Sequence, residues 1–404
     1  MSPLLQRLRL NPLDATLGGS SPTTNWGRLA AGVAAYNAAV SDRRSIIVRR
    51  ELLDDIERLL RAGKGLEIGF RGLRHRDSRQ SKRTAAQQLS AEIAVERAAL
   101  ATETQNLKNK FDGIQDEIWR QYIDLRRQGF GSAVFDRGLH GKPPEAGYLA
   151  SMAAAHKFAH GLIGQRMTAD LYEQLQQLTR AHSDDEAMAG WSSHTDHVNA
   201  DRSTAGTQFE ADIRKAWEPN DVDEAYRLAQ EMGLPMGDTF TMIPHPATIN
   251  FSFHYKDKGE AASKARIDRL FEDYYRQLHE TDEPLRAISA LHKNLEYLHA
   301  FKDANTRTNN IVLNKLLVEC GFNPVVLDDP NQSYTQTIGE WETLLKRGMK
   351  RWRAIGRAQL LGADVEQLMQ DFDLYVHTPD RNKLQDREDS AEDLSGLQAV
   401  DFRT

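Results

Sequence analysis

The chain predicts a mainly α-helical protein with one β-hairpin, its principal unit preceded by an extra N-terminal helical region. Three observations carry that expectation. Apolar residues recur every three or four positions through much of the 404-residue chain, the spacing of amphipathic helices. The strongest strand signal, residues 238–255, alternates Thr, Phe and Ile with polar residues and is bent by Pro244 and Pro246. A polar run, His299 to Arg307, separates two apolar helical patterns and reads as a helix–loop–helix turn.

Taken in order, residues 1–40 hold only four charged side chains among Ser, Thr, Gly and Asn, which fits a flexible leader compatible with secretion. An ordinary disordered terminus explains the same composition. Ile46, Ile47, Leu52, Leu53, Ile56, Leu59 and Leu60 mark a helix. Residues 71–83 carry six Arg or Lys against one Asp, a basic patch or a solvated linker. Without interleaved aromatics the linker is the better reading, and no nucleic-acid partner is expected. Residues 85–127 continue as a long helical region, with Leu107, Phe111, Ile114, Ile118, Tyr122 and Leu125 on one face.

The Gly- and Pro-rich stretch 129–147 is the expected boundary between units. The N-terminal helical region is thus 41–147, with its basic linker at 71–83, and the principal domain is 148–365. Thr168 is set to cap a helix over the following residues. Residues 183–207 read as a polar loop. Helices follow over 264–279, 283–298 and 339–361, and Gly321 is placed to end the helix after the polar run. The charged tail, 380–404, has too few apolar residues to fold.

Composition narrows the classes. Charged residues reach 27% but nearly balance, at a net charge of −6, which argues against nucleic-acid or membrane-surface binding. No stretch approaches a membrane span. The first ten residues are broken by Arg7 and Arg9, unlike a signal-peptide core. Synthesis in a cytoplasm is expected, with export by a route lacking a cleaved peptide left open. Cys320 is the sole cysteine and lies in an apolar run, so a small buried hydrophobe is expected rather than a nucleophile.

The polar run carries the chemistry. His299 is a base whose ordinary pKa lies near working pH. Asp303 offers a hard oxygen suited to Mg²⁺, and Arg307 a planar charge suited to phosphate oxygens. Thr308 or Asn309 is available to cap the second helix, whose N-terminus favours an anion. Turn formation by Asp303 and Asn305, and a simple Asp303–Arg307 pair, are the plain alternatives.

His299, Phe301, Asp303, Asn305 and Arg307 match, in residue and spacing, the H-x-F-x-[DE]-G-N-G-R-x-x-R signature, and on these the chain resembles the Fic (Fido) family. The resemblance implies a Fic-type helical domain in which segment 238–255 is a flap clamping an extended target by strand addition. It implies a catalytic set of His299, Asn305 and Arg307, with Asp303 holding Mg²⁺. Asp303, Ala304, Asn305, Thr306, Arg307 and Asn310 would line the site of the co-substrate, ATP, and AMP would pass to a Ser, Thr or Tyr hydroxyl of a target protein.

Three positions depart from the signature. Ala304 and Thr306 stand where it has glycines, and Asn310 where it has its last arginine. Ala304 still allows close approach of backbone to phosphate, whereas Thr306 adds bulk and disfavours positive φ. The run Asp303–Thr308 is also similar to the Doc branch, which phosphorylates its target, and to a branch that transfers phosphocholine. Phosphorylation, transfer of UMP or phosphocholine from another nucleotide or a CDP-linked donor, and a catalytically dead binding scaffold therefore stay open. The inhibitory motif of many members, [ST]-x-x-x-E-[GN], does not occur in this sequence.

Other clusters read structurally. His156 and His160 have metal-like spacing without an evident third ligand. His194 and His197 sit in the polar stretch, and His245 and His254 in the flap. His292 lies on a helical face near that of His299 and is expected buried.

Overall fold

A computed structural model describes residues 25–62, 76–123, 146–183, 189–192, 196–200, 239–245, 248–254 and 259–365, with isolated positions 132, 136 and 367. The fold is mainly helical, as the spacing predicts. In chain order its helices are α1 (Asn25–Ser41), α2 (Ile46–Ala62), α3 (Arg76–Phe111), α4 (Tyr148–Gly161), α5 (Ala169–Arg180), α6 (Glu260–Glu280), α7 (Pro284–Leu298), α8 (Asn305–Glu319) and α9 (Ile338–Leu361). Short 3₁₀ turns span Gln115–Gln121 and Pro330–Thr335. No helix among the described residues is long and apolar enough to cross a membrane.

Helix α8 is the centre of the bundle. Helices α3, α4, α5 and α7 pack around it, and every residue from Thr308 to Glu319 is buried. Such a helix must satisfy its polar side chains internally. Asn314 Oδ1 accepts from Val325 N at 2.7 Å, and Lys315 Nζ donates to Glu319 Oε1 at 2.7 Å and to Gln165 O at 2.8 Å. Gly321, at φ +85°, ends the helix as expected, with Phe322 N donating to Leu317 O at 2.9 Å. Thr168 caps α5 through its hydroxyl, which accepts from Leu171 N at 3.3 Å. Cys320 is half-buried against the apolar core, and burial pushes its thiol up to about 12, so it holds no reactive thiolate at neutral pH.

The hairpin predicted over 238–255 forms as β2 (Thr239–His245) and β3 (Thr248–His254), paired antiparallel with Phe240 opposite Phe253 and Ile243 opposite Asn250. A third strand, β1 (Asp196–Ala200), pairs antiparallel with the other edge of β3, giving the order β1-β3-β2. The polar loop expected over 183–207 therefore contains a strand. Its sequence has low strand propensity, so backbone pairing with β3 sets its conformation.

Two further expectations are corrected. The flexible leader, 1–40, gives way at Asn25 to α1, where Leu29, Val33, Tyr36 and Val40 are buried against α2. The scarcity of charge there reflects burial rather than flexibility; residues 1–24 lie outside the described residues. The basic linker, 71–83, is helical from Arg76 onward because α3 begins there, while 71–75 lie outside. The break at 129–147 and the tail 380–404 also lie largely or wholly outside the described residues. One apolar core runs from Leu29 on α1 to Met349 on α9, so the N-terminal helices share a core with the helices that hold the motif.

Candidate active site

The motif occupies the turn between α7 and α8. Pro284 opens α7, where it loses no hydrogen bond. The helix buries Leu285, Ile288, Leu291, Leu295 and Leu298 on one face and ends at His299, which adopts a left-handed conformation at φ 42°. Ala304 is left-handed too, at φ 66°, and immediately precedes α8. Two non-glycine residues in this region, each costing roughly 1–2 kcal/mol, bracket the loop. This explains the glycine that the signature places at the position of Ala304: the backbone there turns left-handed.

Asn305 holds the turn shut. Its Oδ1 accepts from Phe301 N at 3.0 Å and its Nδ2 donates to Phe301 O at 2.7 Å. The residue is 3% exposed, so its amide serves the loop in this conformation. Phe301 is the hydrophobic anchor, buried against Tyr172 at 5.4 Å and Trp191 at 4.5 Å between ring centroids. The strap 190–192 adds backbone pairing, with Ser192 N donating to Ala300 O at 2.9 Å and Lys302 N to Gly190 O at 3.1 Å. Gln176 on α5 donates to Asp303 O at 3.0 Å.

Asp303 and Arg307 meet directly. Arg307 Nη2 donates to Asp303 Oδ1 at 2.7 Å, and the Ala304 amide donates to the same oxygen at 2.6 Å. Both side chains keep solvent contact, at 28% and 19% exposure. His299 feels Asp303 as a charge favouring its protonated form, but burial outweighs it and lowers the imidazole below its ordinary 6.5. A neutral imidazole at physiological pH is the form that can accept a proton. The first turn of any helix lacks intrahelical acceptors for its N–H groups, so the start of α8 beside this loop suits an anion.

The two remaining positions differ from expectation. Thr306 lies in helical backbone rather than at positive φ, so its β-branch meets none of the expected strain. Its hydroxyl donates to the fully buried Glu296 on α7 at 3.0 Å. Asn310 is 4% exposed within α8, and its carbonyl accepts from Asn314 Nδ2 at 3.0 Å. It presents almost no surface to a nucleotide in this conformation. Thr308 and Asn309 do not cap α8, which starts at Asn305. Both are buried, with Thr308 Oγ1 bonded to Ala304 O at 2.8 Å and Asn309 Oδ1 accepting from Tyr172 OH.

The structure thus brings Asp303, Arg307 and His299 to one turn, commits Asn305 to the loop and buries Asn310. His156 and His160 share Asp112, at 2.7 and 3.5 Å. Among the described residues no group of three or more His, Cys, Asp or Glu forms a metal site. Gln176, His182 and Glu296, which touch motif residues, had no signal in the sequence.

Residues 221–317 match the family model of the Fic/DOC family. That span includes β2, β3, α6, α7, the motif turn and nearly all of α8. The likeness to the Fic/DOC family thus covers 97 of the 404 residues and takes in the turn that carries the motif. No curated protein matches the chain.

Proposed function

We propose that the protein transfers AMP from ATP to a Ser, Thr or Tyr hydroxyl of a partner protein. The observation that carries the reading is the turn itself. It sets a half-buried histidine whose imidazole is lowered below its ordinary range by burial, a half-buried carboxylate–guanidinium pair and a helix N-terminus side by side. His299 takes the proton of the incoming hydroxyl. The hydroxyl oxygen then bonds to the α-phosphorus, the bond to the bridging oxygen breaks, and pyrophosphate leaves with the electron pair. Arg307 and the α8 N-terminus hold phosphate oxygens as charge shifts between them. Asp303 fits Mg²⁺, an ion that takes one or two protein carboxylates and fills its shell from phosphate and water. When bound, that ion neutralises phosphate charge. Sheet β1-β3-β2, with β2 and β1 at its edges, is where an extended target segment would add.

Thr306 favours a second reading on the same turn. A side chain stands where the signature has glycine, which suits transfer of phosphate, UMP or phosphocholine from a differently seated donor. A binding scaffold is the third reading, favoured by the mutual pairing of Asp303 and Arg307. Calorimetric titration with Mg²⁺–ATP tests these readings. Binding that weakens at least about tenfold in both Asp303→Ala and Arg307→Ala, about 1.4 kcal/mol, supports the nucleotide site. Binding unchanged by either substitution refutes these roles.

A further inference from the structure

Arg307 is gripped from two elements outside the motif. Its Nη1 lies 3.1 Å from Nε2 of His182, a residue just beyond the end of α5. Its guanidinium also sits 5.7 Å from the ring centroid of Tyr148, the first residue of α4. Tyr148 is itself fixed: it is buried, its hydroxyl donates to Tyr122 O at 3.1 Å, and its ring meets His182 edge-on at 5.3 Å. Gly147, left-handed at φ +84°, carries the chain past His182 closely enough that a Cβ there would touch the His182 Cβ at 3.4 Å.

Guanidinium groups only donate, so Nε2 of His182 must be the acceptor and Nδ1 must carry the proton. A neutral acceptor differs in kind from the Asp303 carboxylate. It fixes the direction of the Arg307 fork without cancelling its charge. If Asp303 turns to a metal, Nη2 is released while Nη1 stays tethered. From this geometry, and resting on the nucleotide-site reading above, we infer that His182, braced by Tyr148, is a positioning residue that aims the Arg307 guanidinium at phosphate.

The test compares Mg²⁺–ATP dissociation constants and thermal melting of the full chain for wild type, His182→Gln, His182→Leu and Arg307→Ala. Glutamine offers an amide oxygen near the place of Nε2, and leucine fills space without an acceptor. Loss of a hydrogen bond to a charged group predicts about tenfold weaker binding in His182→Leu, and His182→Gln within about threefold of wild type. Both variants should melt close to wild type. Equal affinities for Gln and Leu overturn the inference, whether both are normal or both are weak. Binding lost in Arg307→Ala but kept in His182→Leu overturns it alone. Normal binding in Arg307→Ala, or none by wild type, overturns the parent reading with it. Nitrogen NMR of the His182 imidazole needs no variant: the Nδ1–H tautomer is expected, and an Nε2–H tautomer overturns the inference.

Discussion

Replacing Asn305 with alanine should destabilise the fold itself, beyond any effect on chemistry. Both polar atoms of the Asn305 amide are bonded to Phe301, at 3.0 and 2.7 Å, and the residue is 3% exposed. Truncation leaves Phe301 N–H and Phe301 C=O each short of a partner in a buried turn, where each unmet group costs about 1–3 kcal/mol. A total of about 2–6 kcal/mol follows, a large share of the stability of an ordinary domain. Urea unfolding of wild type and Asn305→Ala measures it as a fall in midpoint at constant slope. The turn that holds His299 should loosen as well, so transfer activity should fall with stability. An unchanged midpoint, with activity lost, would refute this reasoning and return Asn305 to the role of a phosphate ligand.

Three other outcomes follow from contacts around the turn. His292 is fully buried and stacked on Trp341 at 5.3 Å, and burial lowers its imidazole to about 3. Between about pH 3 and 6.5 the unfolded chain binds a proton that folded His292 refuses, so stability falls as pH falls through that window. From pH 7.5 to about 5, at 1.36 kcal/mol per unit below 6.5, His292→Phe should lose about 2 kcal/mol less stability than wild type; parallel pH profiles would contradict this. Thr306→Val takes a hydroxyl donor from buried Glu296 and should cost about 1–3 kcal/mol in urea unfolding; a neutral effect would deny the contact its weight. Thr337 forms a capping box with Glu340 at the start of α9, so Thr337→Ala should cost about 1 kcal/mol by the same assay.

The sequence made the helices and the motif legible because both depend on short spacings. Leu285 to Leu298 announce α7, and His299 to Arg307 sit in the turn after it. The start of α8 was less legible. Thr308 and Asn309 have the chemistry of caps, yet the left-handed Ala304 begins the helix earlier and buries them. Thr306 suggested strain only because its backbone conformation could not be read from residue type. Strand β1 and helix α1 owe their form to tertiary partners, pairing with β3 in one case and packing on α2 in the other. The contact of His182 with Arg307 spans 125 positions, and no local pattern announces such a pair.

The central claim, that His299 drives transfer of part of a nucleotide, is tested most directly by intact-protein mass spectrometry. Wild type and His299→Ala would be incubated with ATP and Mg²⁺, alone and with extract proteins as targets. The account predicts an adduct equal in mass to AMP less water, formed by wild type and absent with His299→Ala. An adduct of one phosphoryl group would move the assignment to phosphorylation. Equal modification by both proteins, or none by either while ATP binds normally, would contradict the claim.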